Sequence, residues 1–157
     1  MELSKKIIEI RKKSGLTQEE FASKLFVTRQ AVSRWENGET TPTIDTLKTI
    51  TEIFKVDANS LIGGGEPVFC QSCGMPMVKI EELGTNADKS VNLEYCTYCF
   101  LDGKCVDDWR FTIDEMVEHN LNWLKEWNEN NGTSYTADEA RPLLKSFLAT
   151  LKRWKKA

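Results

Sequence analysis

The sequence predicts a mainly α-helical chain with a small cysteine-bearing unit set between two helical ends. Three observations predict it. Apolar residues recur at helical spacing over residues 1–62 and again over residues 107–157. Thr17 with Glu20, and Thr112 with Glu115, supply the hydroxyl-then-glutamate signal that opens a helix. All five cysteines fall between Cys70 and Cys105, where the helical pattern lapses.

The first segment reads as five short helices. Leu3, Ile7 and Ile10 share one face with lysines opposite, and Ser14-Gly15 ends the run. Thr17 then opens a second helix with Phe21, Ala22 and Leu25 inward. After a tight turn at Phe26-Val27, Thr28 opens a third helix that runs to Glu36 and closes at Asn37-Gly38. Pro42 and Thr43 precede a fourth, with Ile44, Leu47, Ile50, Ile53 and Phe54 inward, and residues 57–62 make a short fifth turn of helix. Three glycines, residues 63–65, favour no regular structure and read as a flexible linker. This joint predicts that the segments on either side melt separately.

Residues 66–106 hold the cysteines and many turn formers. They are too few for a substantial core of their own, so a metal is the natural staple. Beyond them Ile113, Met116, Val117, Leu121, Leu124 and Trp127 predict one helix, broken at Asn130-Asn131-Gly132. Leu143, Leu144, Phe147, Leu148, Leu151 and Trp154 predict a last helix that starts or kinks at Pro142. Trp123, Trp127, Phe147 and Trp154 are expected as core between this antiparallel pair and the cysteine unit. Aromatic-rich helical pairs also line effector pockets and dimer seams. Lys152, Arg153, Lys155 and Lys156 form a small basic tail, expected to be solvated.

The chain has 157 residues, 40% of them hydrophobic, with no polar tract long enough to suggest disorder. No apolar stretch approaches a membrane span and the first residues lack a signal-peptide core, which predicts a soluble cytoplasmic protein with no membrane partner. The net charge is −3. Residues 1–64 are nearly balanced, with ten basic side chains against nine acidic. The acidic excess lies in residues 65–106. A strong basic footprint is absent, so any nucleic-acid contact must gather positive groups on one face.

The third helix does that. Its open side carries Arg29, Gln30, Ser33 and Arg34, while Ala31, Val32 and Trp35 face back into the domain. Arg can bond guanine and Gln adenine through two hydrogen bonds each, and one helix fits the major groove. A solvated surface helix, or a scaffold that has lost its DNA, could carry similar side chains. The stretch from Leu16 to Ala22, followed by Thr28 to Gly38, resembles the Xre-type, phage-repressor-like helix-turn-helix family over residues 3–62. The resemblance implies a five-helix domain that binds double-stranded operator DNA, usually as a dimer. It also implies that Gln18, Thr28 and Asn37 contact phosphates, while Arg29, Gln30, Ser33 and Arg34 face bases. Trp35 and Glu36 read as structural.

Cys70-Gln71-Ser72-Cys73 and Cys96-Thr97-Tyr98-Cys99 are two Cys-x-x-Cys units. Such a spacer lets a tight turn aim two thiolates at one ion, and two turns complete a tetrahedral zinc site. Four thiolates leave no open position, which makes the site structural, with one zinc per chain. Iron in a rubredoxin-like site, or a thiol–disulfide pair, would use the same spacing. Residues 70–77, 84–88 and 94–99 resemble a bacterial zinc-ribbon family over residues 68–154. Cys105 reads as a packed small residue and His119 as a surface residue.

The expected architecture is therefore a five-helix helix-turn-helix domain (1–62), a glycine linker (63–65), a zinc ribbon (66–106) and a C-terminal helical pair (107–157). The pair packs on the ribbon or forms a dimer seam. The expected function is a transcriptional regulator, most simply a repressor, working as a homodimer with an effector or protein partner left open. The alternative is an antitoxin that neutralises a toxin and represses its own operon. Known zinc-bearing antitoxins, however, place the zinc domain first. No nucleophile with a base, open metal site or phosphate loop suggests an enzyme.

Overall fold

The structure, a computed structural model, describes residues 2–155. It begins with α1 (Glu2–Lys13), which buries Leu3, Ile7 and Ile10. Next come α2 (Gln18–Lys24), α3 (Arg29–Glu36), α4 (Ile44–Phe54) and α5 (Ala58–Gly63). Each start from α2 onward has a local cause. Thr17, Thr28, Thr43 and Asp57 accept, through their side chains, from the backbone amides of Glu20, Ala31, Thr46 and Ser60. Phe21, Val32, Leu47, Ile50 and Leu61 meet in a core without solvent access, with Phe54 stacked on Phe21 at 5.0 Å. Each such side chain contributes about 1.5–3 kcal/mol by leaving water. Ile53, expected inward, instead points to solvent.

One ion pair ties the first three helices together. Arg11 of α1 grips Glu36 of α3 through both carboxylate oxygens and donates to the Leu16 carbonyl at 3.0 Å. Gln18 of α2 donates to the same carboxylate at 2.8 Å. Burial works to raise the Glu36 carboxyl, but the bonds from Arg11 and Gln18 outweigh it and hold it below the usual range. Its stabilising effect is therefore complete above the ordinary glutamate value of roughly 4.3 and is lost as pH falls through the lower folded value. Glu36→Ala leaves the half-buried Arg11 guanidinium with the Leu16 carbonyl but without its charged partner, and is expected to cost about 3 kcal/mol in urea unfolding. A loss within about 0.5 kcal/mol, the range of an ordinary surface change, would contradict this role.

The glycine run does not form a free linker. Gly63 is the last residue of α5, and Gly64, at φ +65°, is its left-handed cap, donating to the Ser60 carbonyl at 3.2 Å. The chain then folds straight back, so that a side chain on Gly63 would meet Val68 Cγ2 at 2.9 Å.

Three antiparallel two-stranded hairpins follow: β1 (Val68–Phe69) with β2 (Pro76–Met77), β3 (Leu83–Thr85) with β4 (Val91–Cys96), and β5 (Phe100–Leu101) with β6 (Lys104–Cys105). A turn of 3-10 helix, Ile80–Glu82, precedes β3. These strands do not stand alone. Cys70, Met77, Ile80, Leu83, Val91 and Tyr95 are continuous with the core of α1–α5. Polar bonds close the seam: the Val91 amide donates to the Pro42 carbonyl at 2.9 Å, Thr41 Oγ1 to the Val91 carbonyl at 2.6 Å, and Lys48 pairs with Glu81 at 2.9 Å. Residues 63–65, expected as a linker, are the end of α5 and its turn, and the hairpins pack on the helices before them. A unit too small to bury its own apolar residues buries them against its neighbour.

The last segment forms three helices rather than two: α6 (Ile113–Leu121), α7 (Leu124–Asn131) and α8 (Ala137–Leu148). The expected continuous helix breaks at Asn122-Trp123, whose amides bond three residues back, to His119 and Asn120. That tighter turn swings α7 away, and it buries no residue. α8 starts five residues before Pro142, where Thr136 and Glu139 form a capping box. Met116 and Val117 of α6 pack on Leu148 and Leu151. Arg141–Glu118 and Lys145–Asp114 ion pairs flank this contact. The expected aromatic core is only partly built. Trp154 is half-buried, but Trp123 and Trp127 are 61% and 51% exposed, and Leu143 and Phe147 are also exposed. Among the described residues no helix is long and apolar enough to cross a membrane.

Candidate nucleic-acid interface and metal centre

The helix-turn-helix geometry rests on the turn between α2 and α3. Phe26 takes a left-handed conformation there, φ +57°, which costs a non-glycine residue about 1–2 kcal/mol. The Val27 amide reaches back to the Ala22 carbonyl at 3.1 Å, so the turn is tight. Phe26 itself is 91% exposed. No spacing signal pointed to it, because its neighbours Leu25 and Val27 carry the buried positions.

α3 has a buried side and an open side, with Ala31, expected inward, at the border between them. Val32 and Trp35 are buried, and Ala31 is half-buried. Thr28, Arg29, Gln30, Ala31, Ser33 and Arg34 line a shallow open depression on the other side. Arg29 and Gln30 make no side-chain hydrogen bond or ion pair among the described residues, so both are available to a ligand. Arg34 lies 3.7 Å from Glu39, and Asn37 donates weakly to the same carboxylate at 3.3 Å. Thr28 spends its oxygen on the Ala31 amide at 3.1 Å, which leaves its hydroxyl hydrogen free to donate. Gln18 stands apart from this group, half-buried and bonded to Glu36.

The four cysteines converge. Sγ atoms of Cys70, Cys73, Cys96 and Cys99 all lie within 4.8 Å of one another, and Cys73 Sγ is 3.7 Å from Cys96 Sγ. A tetrahedral ion with metal–sulfur bonds of about 2.3 Å sets its ligands about 3.8 Å apart, so the cluster already has nearly the size of a tetrathiolate site. The Ser72 and Cys96 amides point at Cys70 Sγ at 3.4 and 3.3 Å, as they would toward a thiolate. Bonds from the other three thiols push the Cys70 thiol far below its ordinary value. The same crowding drives Cys73 and Cys96 far above theirs, the neighbouring Cys70 sulfur being the largest cause for each. A divalent cation relieves this conflict by stabilising all four thiolates at once. The donor set and spacing fit a structural ion.

The knuckles are aimed by the hairpins. β1 and β2 present Cys70 and Cys73 in the turn between them, whereas Cys96 ends β4 and Cys99 lies in the turn that leads to β5. Gly74, at φ +79°, closes the first turn beneath the Phe147 ring; a Cβ there would lie 2.5 Å from Phe147 Cε1.

Cys105 stays outside the tetrad. It is buried as expected, but its thiol also donates to Asp107 Oδ1 at 2.7 Å, and burial together with that carboxylate pushes its value up. Burial works to raise the Asp107 carboxyl, yet Arg153, Cys105 and the Phe111 amide hold it at about 2. The expectation of a solvated basic tail fails at Arg153, whose side chain is 5% exposed and paired with Asp107. Lys152 pairs with Glu94 at 2.7 Å, and Lys156 lies outside the described residues. His119 is exposed, with its ring edge-on to Phe111 at 6.1 Å.

Comparison with known proteins agrees with both halves. A zinc ribbon domain family model matches residues 69–155, and a helix-turn-helix family model matches residues 7–61. Among curated relatives, the HTH-type transcriptional activator BcrR of Enterococcus faecalis is 39% identical over 66 residues, 42% of this chain and 32% of that protein. The HTH-type transcriptional regulator ImmR of Bacillus subtilis (strain 168) is 35% identical over 66 residues, 42% of this chain and 52% of that protein. The chain thus spans about a third and about half of the relatives it matches. No solved structure matches. The chain belongs to the zinc ribbon domain family over residues 69–155, and residues 7–61 ahead of it match a helix-turn-helix model.

Proposed function

We propose that this chain is a sequence-specific DNA-binding transcriptional regulator that binds its operator as a homodimer and holds one structural zinc ion per chain. The observation that carries the reading is the open face of α3, where Arg29 and Gln30 stand unpaired among the described residues beside Ser33 and Arg34. In the major groove Arg29 and Arg34 suit guanine, Gln30 suits adenine, and Ser33 accepts or donates to either. Thr28 and Asn37, at the two ends of the helix, are placed for the phosphates on either side. Gln18 reaches a phosphate only by leaving Glu36, and its principal role in this reading is to hold that carboxylate. Repression needs only occupancy of a site that overlaps a promoter. The relative named an activator matches over 66 residues, 42% of this chain, and in this reading the direction of control follows from where the operator lies.

A single reading head covers few base pairs, and pairing two about one helical turn apart supplies the missing selectivity. Trp123, Trp127, Leu143 and Phe147 leave apolar surface open on the C-terminal helices, and we place the dimer seam there. Trp123→Ala combined with Trp127→Ala is expected to turn a sedimenting dimer into a monomer at tens of micromolar. A wild-type chain that already sediments as a monomer refutes this assembly.

Selection of bound duplexes from a random pool tests the whole reading. It is expected to return one motif arranged as an inverted repeat. A pool that stays random after several rounds overturns the assignment.

A further inference from the structure

The first knuckle is gripped from outside by residues far away in sequence. Its three successive carbonyls each accept a bond from the C-terminal segment. The Arg153 amide donates to the Gln71 carbonyl at 3.1 Å, Trp154 Nε1 to the Ser72 carbonyl at 2.7 Å, and Asn120 Nδ2 to the Cys73 carbonyl at 2.8 Å. The side chains join in: Arg153 donates to Ser72 Oγ at 2.8 Å, and the Lys152 amide to Gln71 Oε1 at 3.1 Å. Arg153 is itself fixed on every side. Its guanidinium bonds both oxygens of Asp107 and lies 5.0 Å from the Trp109 ring centre and 4.4 Å from that of Trp154.

A Cys-x-x-Cys turn can point both sulfurs at one ion only if its carbonyls point away. The C-terminal segment binds the three carbonyls in that outward-facing set. We infer that Arg153, with Trp154 and Asn120, positions the Cys70–Cys73 knuckle for its metal, so that metal loading and docking of residues 151–154 are one coupled equilibrium. The inference rests on the reading of the tetrad as a metal site. Coupling of this kind is reciprocal: whatever factor docking adds to metal affinity, the metal adds to docking. Supporting residues outside the ligand set commonly control about 10–100-fold of metal affinity. The helices that present Trp123 and Trp127 are thus placed by the ion, although none of their residues ligates it.

The test uses the full chain and Co2+ as a spectroscopic probe, with Zn2+ affinity read by competition against a chromophoric chelator. Arg153→Ala is expected to weaken Zn2+ binding 10–100-fold while the Co2+ complex keeps its tetrahedral tetrathiolate spectrum. Trp154→Phe, which keeps the ring and loses the N–H, is expected to fall between, and Arg153→Lys to recover part of the loss. In the wild type, chelation is expected to expose residues 149–155 to protease, and Zn2+ to restore protection. Unchanged Zn2+ affinity in a folded Arg153→Ala or Trp154→Phe chain overturns the coupling, as does continued protection after chelation. A wild-type chain that takes up neither Co2+ nor Zn2+ overturns instead the metal reading beneath it.

Discussion

Cys96→Ser, or chelation of the wild type, is expected to unfold the ribbon and to lower the melting temperature of the helix-turn-helix domain with it. The sizes of the opposing terms decide this. A structural zinc contributes about 10–16 kcal/mol to the folding of a small metal-bound peptide. A whole domain is held by only about 5–15 kcal/mol. Losing the ion therefore removes more than the ribbon can supply from its short hairpins, and losing one of four thiolates removes a part of it. Cys96 also sits in the shared core, opposite Leu83 across the β3–β4 ladder. Calorimetry is expected to give one main transition in the loaded chain, moved down as a unit by chelation. Two independent transitions, with the first insensitive to metal, would show instead that the seam through Pro42, Thr41 and Val91 carries no energy.

Arg29→Ala is expected to weaken operator binding by about 1–3 kcal/mol, roughly 5- to 150-fold, and to relax preference at one base pair. Arg29 is exposed at the start of α3 and unpaired, so its removal leaves no orphaned partner in the protein. The melting temperature should stay within the small range of a surface change. Arg29→Lys keeps the charge but loses the planar fork, so it should retain phosphate-like affinity and lose most base preference. A repeated site selection on the variants reads this directly. An unchanged base preference for Arg29→Ala would move the reading role elsewhere on α3.

The parts of the molecule legible in its sequence are those whose causes are local. Thr17, Thr28 and Thr112 announce helix starts because a cap and its partner lie within four residues. Cys70, Cys73, Cys96 and Cys99 announce their cluster because ligand spacing is a property of one turn repeated. The parts not legible depend on what arrives from elsewhere. Composition makes residues 63–65 a linker; the return of Val68 against Gly63 makes them a cap and a tight corner. The stripe through Trp123 and Trp127 has helical period, but period does not say whether a surface exists to cover it. Thr136 and Glu139 did carry a local signal, overshadowed by Pro142. Arg153 carried none, because Ser72 and Asp107 are 81 and 46 residues away.

The most direct measurement is a competition titration at one fixed salt concentration, comparing the selected duplex with a scrambled duplex of the same length and composition. Specific regulators bind their sites about 10³–10⁷ times more tightly than non-specific DNA. The zinc-loaded chain is expected to fall in that range, with the ratio lowered roughly 5- to 150-fold for Arg29→Ala. A ratio near one, with binding that merely weakens as salt rises, would mean that α3 reads no sequence and would contradict the account.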